Sequence, residues 1–139
     1  MDKKQSSNWY IAVAHFLTTG LVALGINVVF WVIFNATVSS MSALPYTALN
    51  LGVPVIAVVL GALYSARYVA KTYLLPSPES VVKISSFIFI LIPAVVVGAV
   101  MLMAESVGTG AIAVWGQIVV SAVLFYVLSK KYIVGALVV

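Results

Sequence analysis

Four long apolar runs divide this 139-residue chain, at about residues 9–34, 46–74, 82–104 and 110–132. Each exceeds the roughly 20 residues that a helix needs to cross a ~30 Å hydrocarbon core. In lipid the backbone must satisfy its own hydrogen bonds, so only helices or closed barrels can span. The runs show no period-two alternation of apolar and polar residues, which selects helices over barrel strands. Composition agrees: 64% of residues are hydrophobic and only 7% are charged, where a soluble domain is about a quarter charged. The expected fold is an all-α membrane protein, one domain of four transmembrane helices. The first run is too long for a signal-peptide core and has no convincing small-x-small cleavage site, so it is expected to remain. The links are short, which makes consecutive helices antiparallel neighbours.

The charges give the orientation. Lys3 and Lys4 precede the first run, Arg67, Lys71 and Lys83 flank the link between the second and third, and Lys130 and Lys131 close the fourth. The other two links carry no Lys or Arg. All seven cations therefore fall on one side, which the positive-inside rule makes cytoplasmic, with both termini inside. Trp9, Tyr10, Tyr68, Tyr73 and Tyr132 fall at that side, and Tyr46 and Trp115 near the other, as in an aromatic belt. The expected location is a cell membrane, multi-pass.

Two segment ends match. Ser65-Ala-Arg-Tyr-Val-Ala aligns with Ser129-Lys-Lys-Tyr-Ile-Val, so that Ser and Tyr are identical and Arg67 faces Lys131. The preceding helices compare more weakly, with His15 over Lys83 and Gly25 over Pro93. Together these suggest two copies of a helical hairpin in the same orientation. Such copies would be parallel repeats about an axis along the membrane normal.

With "LYSARYVA", "YVLSKKYIV" and the helix opening "HFLTTG", the chain resembles the GtrA-like small membrane proteins of surface-polysaccharide pathways. Their helices two and four typically end in an aromatic–x–x–Asn–basic–basic–aromatic pattern. Here Ser65 and Ser129 stand where that family favours Asn, Ala66 replaces the first basic residue, and His15 replaces an arginine. The resemblance implies four helices and a part in moving polyprenyl-phosphate-linked sugars across the cytoplasmic membrane.

Each polar residue in or near a span has two readings. Arg67, Lys130 and Lys131 are either snorkelling anchors or, as the resemblance implies, ligands of a lipid phosphate, for which a guanidinium fork is well shaped. On the second reading Ser65 and Ser129 donate to phosphate or sugar oxygens, and Tyr68 and Tyr132 set the depth of the cations. His15, Asn27 and Gln117 are either interhelical hydrogen-bonding residues or the lining of a cavity. Ala57, Gly61 and Ser65, four apart, permit close approach of another helix. Pro54 and Pro93 are candidate kinks.

Several classes are disfavoured. The chain has no cysteine, hence no disulfide or thiolate chemistry. No acid sits in a span centre, as a proton-coupled exporter would require, and no cluster has metal-ligand spacing. No enzyme activity, cofactor, metal or nucleic-acid partner is expected. The expected functions are a lipid-linked sugar translocase or its accessory subunit, a non-transporting subunit of a larger complex, or a small oligomeric channel. Expected partners are a lipid-linked sugar or anionic lipid, and either further copies of the chain or a membrane glycosyltransferase.

The orientation is directly testable. Single cysteines replacing Lys3, Ser39 or Gly108 should report their side in intact cells. An impermeant thiol reagent is expected to label positions 39 and 108 and spare position 3; labelling at 3 alone would overturn the orientation.

Overall fold

The apolar runs do form helices. In the computed structural model, which describes residues 3–38, 40–103 and 109–135, four helices are long and apolar enough to cross a membrane. They are α1 (Asn8–Val38), α2 (Ala43–Thr72), α3 (Pro78–Met103) and α4 (Thr109–Ser129), the last continuing into a π-helical turn over Lys130–Val134. Pro78 occupies the first position of α3, where a missing N–H costs nothing and a fixed φ suits the helix. Pro54 and Pro93 lie inside α2 and α3 without ending either. The expected outer positions Ser39 and Gly108, the end of the third run at Ala104, and Asp2 and Glu105 lie outside the described residues.

The helices pack in a ring, α1 on α2, α2 on α4, α4 on α3 and α3 on α1. Ile11, Val69, Val81 and Ile133 are all buried in one cluster. The start of α1, the end of α2, the start of α3 and the end of α4 thus share one end, and the bundle runs up, down, up, down. That end carries the cations. Two expectations need correction. α2 and α3, despite their short link, lie across the ring rather than side by side. The two hairpins stand beside each other, α1 next to α3 and α2 next to α4. A twofold axis along the membrane normal would instead put those equivalent helices diagonally opposite.

The cation-rich end is tied further by contacts absent from the sequence reading. A two-residue strand β1 (Lys4–Gln5) pairs in parallel with β2 (Tyr73–Leu74), Lys4 opposite Tyr73. The Lys3 ammonium donates to the Ala70 carbonyl (3.0 Å), and the Ser77 N–H donates to Asn8 Oδ1 (3.2 Å). Lysine at the C-terminal end of α2 also complements the helix dipole. Burial is uneven along the bundle. It is dense from this end to the level of Ala23, Ala57, Phe89 and Ser121; beyond it Val53 and Val38 are the buried residues among those described. The opposite half is splayed, and large side chains such as Leu24, Val96 and Ile112 stand exposed there.

One contact sets the α1–α2 spacing. Ala57, Gly61 and Ser65 are all buried, and a Cβ added to Gly61 would stand 2.6 Å from the Thr19 carbonyl oxygen. That oxygen is backbone and cannot swing away. Gly61→Leu is therefore expected to lower stability in detergent by about 1–3 kcal/mol, the usual cost of overpacking. A wild-type melting temperature for that variant would show the small-residue face to be unimportant.

Candidate functional site

His15 lies two turns into α1, Ser65 two turns before the end of α2, and Ser129 at the end of α4. In an up-down bundle such positions lie at similar depths, about 10 Å in from the ends of α1 and α2 and one π-helical turn in from the end of the fourth helix. All three are fully buried. The imidazole is held at both nitrogens: Nδ1 to Ser65 Oγ at 2.7 Å and Nε2 to Ser129 Oγ at 2.7 Å. The two serines of the repeated motif thus meet on one ring.

The proton order in this network follows from counting donors. Ser65 Oγ also lies 2.9 Å from the His15 carbonyl oxygen, to which it donates its single proton. It must then accept from Nδ1–H. A neutral imidazole carries one N–H, so Nε2 is the acceptor and Ser129 the donor. Thr19 Oγ1 donates to the same His15 carbonyl at 2.9 Å. Phe125 stacks on the imidazole, with ring centroids 4.8 Å apart, and Phe89 stacks on Phe125 at 4.4 Å. The centre of the bundle is therefore filled, and His15 is enclosed rather than lining an open cavity. The serines' hydroxyls are committed to His15 and face away from the headgroup region where they were expected to act.

The rest of the motif looks outward. Val69 and Ile133, equivalent positions, are both fully buried, while Arg67 and Lys131 are both exposed. Both cations approach the half-buried ring of Tyr132: Arg67 Cζ lies 5.1 Å from its centroid and Lys131 Nζ 5.6 Å. Both are within cation–π range. Tyr68 is exposed, stacks on Tyr64 at 6.4 Å, and lines a shallow cleft on α2 with Arg67 and Lys71. Lys130 is separate. It lines a cleft of about 250 Å³ with Glu79 and Lys83 between α3 and the π-turn. Its counterpart in the first copy, Ala66, is buried. That difference breaks the symmetry of the motif.

The other mid-membrane polar residues are structural in geometry. Asn27 Nδ2 donates to Ala23 O one turn earlier on its own helix (2.8 Å). Gln117 Nε2 donates to Leu51 O on α2 (3.2 Å). Leu51 lies in the turn before Pro54, so the bond ties α4 to α2 beside the proline. Among the described residues no group of His, Cys, Asp and Glu could hold a metal ion.

The clamp makes a quantitative forecast. His15→Phe keeps a ring to stack on Phe125 but loses both hydrogen bonds, and Ser129→Ala loses one. Each should destabilise the bundle by about 1–3 kcal/mol, the cost of an unsatisfied buried partner. The double variant should lose less than the sum, because the second change removes a partner already lost. Strict additivity in thermal unfolding would mean that the Nε2–Ser129 bond is absent. No family model, curated protein or solved structure matches the chain, so its function rests on this geometry and on the residues themselves.

Proposed function

We propose that this multi-pass membrane protein binds the phosphate of a lipid-linked sugar at its cation-rich end. It serves the transfer of polyprenyl-phosphate-linked sugars across the cytoplasmic membrane, as a translocase component or accessory subunit in cell-surface polysaccharide synthesis. The observation that carries this is the approach of Arg67 and Lys131 to one tyrosine ring. They come from equivalent positions of two helices that pack together. Both are exposed at the cation-rich end, where an anionic group at the membrane surface can meet them. Glu79, the one acid among the described residues, lines a different cleft, beside Lys83 and Lys130. A phosphate suits two cations in charge, and the Arg67 fork can hold two of its oxygens.

Two features favour an assisting or oligomeric role over a lone translocase. The His15–Phe125–Phe89 stack closes the interior of the bundle. A sugar headgroup would have to pass along the outside, between copies or against a partner such as a membrane glycosyltransferase. The splayed half, with its exposed apolar faces, offers the surface for such association. With the cations facing the cytoplasm, as the positive-inside rule requires, the headgroup is met at the leaflet where it is made.

Binding of a polyprenyl-phosphate sugar to purified protein tests the reading. Arg67→Gln is expected to weaken binding by about 1.5–3 kcal/mol, roughly 10- to 150-fold, and Lys131→Gln to weaken it as well. Arg67→Lys should fall between, since charge remains and the fork is lost. Equal affinity for wild type and all three correctly folded variants would leave Arg67 and Lys131 as membrane anchors only.

A further inference from the structure

A second site lies away from Arg67, along the outer seam of α3 and α4. An apolar groove of about 340 Å³ runs there, lined among others by Ile90, Ala94, Trp115, Val119 and Tyr126. At Tyr126 it meets the cleft that holds Lys83, Lys130 and Glu79. Ser86, one turn from Lys83, lines the apolar groove, and its hydroxyl has no hydrogen-bond partner although the residue is only 8% exposed. A buried hydroxyl without a partner is costly and calls for a ligand atom.

The spacing of these features matches one molecule. Ser86 lies one turn beyond Lys83, about 4.5 Å deeper along α3. In a glycerophospholipid the ester carbonyl sits that far below the phosphate and is an acceptor. From Tyr126 to Trp115 the groove follows α4 for about 16 Å, close to half of the ~30 Å hydrocarbon core. Measured from Lys130, Trp115 lies about 22 Å along α4, so an extended acyl chain headed at the lysines reaches Trp115 beyond the midplane. Two lysines against one glutamate leave the head of the groove with one net positive charge.

We infer that the α3/α4 groove holds an anionic glycerophospholipid of the surrounding membrane. Its phosphate lies between Lys83 and Lys130, an ester carbonyl accepts from Ser86 Oγ, and one acyl chain fills the groove to Trp115. Glu79 accepts from the hydroxyls of a glycerol headgroup, which favours phosphatidylglycerol over a headgroup without donors. A polyprenyl phosphate has no ester carbonyl, so this site differs in chemistry from the one at Arg67 and does not depend on it.

The test uses Trp115 as a reporter. A Trp9→Phe/Trp31→Phe variant leaves it as the only tryptophan. The variant is placed in phosphatidylcholine vesicles containing a small fraction of phosphatidylglycerol brominated in the distal half of its chain. Quenching is compared with that by equally dilute brominated phosphatidylcholine. One net cation at roughly 1 kcal/mol predicts about fivefold enrichment of the anionic lipid beside Trp115. Lys83→Gln/Lys130→Gln is expected to abolish the preference, and Arg67→Gln to leave it. Equal quenching by the two lipids overturns the inference, as does a preference lost only with Arg67→Gln. So does a Trp115 shielded from both lipids in a protein that cross-links as a dimer, which would put a second copy in the groove. The unsubstituted protein provides an independent readout: native mass spectra should retain phosphatidylglycerol over phosphatidylcholine, and equal retention counts against the site.

Discussion

An imidazole sunk in the middle of a membrane bundle has two polar nitrogens and no water to satisfy them. Here Ser65 and Ser129 satisfy one each, and in doing so join three helices at a single ring. This constraint orders much else. It fixes α2 and α4 at one height relative to α1, which brings Val69 and Ile133 into one buried cluster. Two residues past each serine come Arg67 and Lys131, and their approach to Tyr132 follows from the same register. The serine that recurs in the motif is thus a structural part of the repeat, while the cation that follows it is the exposed part.

Close packing of α1 on α2 depends on a second, purely steric condition. Gly61 lies so near the Thr19 carbonyl that no side chain fits, and Thr19 itself donates to the carbonyl of His15. The glycine contact and the imidazole clamp are therefore adjacent turns of one interface. Beyond this level the helices separate and expose apolar faces. A bundle that is tight at the cation-rich end and open at the other presents its polar chemistry on a rigid base and leaves its far half for lipid or protein.

Much of the fold was legible in the sequence because lipid leaves a chain few choices. Run length and one-sided charge gave four helices and a common end for the cations. The neighbour relations were not legible. Short links imply contact between consecutive helices, yet α2 and α3 lie across the ring, because the pairing of Ser65 and Ser129 with one histidine draws α2 to α4 instead. Pairing of Lys4–Gln5 with Tyr73–Leu74 escaped notice because two residues carry no periodic signal. The site was half legible. The recurrence of serine, cation and tyrosine was visible, but the serines' common partner is 50 residues from one and 114 from the other. Similar depth of His15, Ser65 and Ser129 in antiparallel helices was the available clue. Adjacency groups Lys130 with Lys131, but the π-turn that contains both directs them to different surroundings.

His15 is the only histidine in the chain, so nitrogen-15 NMR of histidine-labelled protein in a bilayer observes the clamp without interference. The donor count predicts a proton on Nδ1 and an unprotonated, hydrogen-bonded Nε2, given as two separate resonances. Ser129→Ala should move the Nε2 resonance and leave Nδ1 nearly in place, and Ser65→Ala should do the reverse. A proton found on Nε2, or a ring whose two nitrogens exchange and ignore both serine substitutions, would contradict the account.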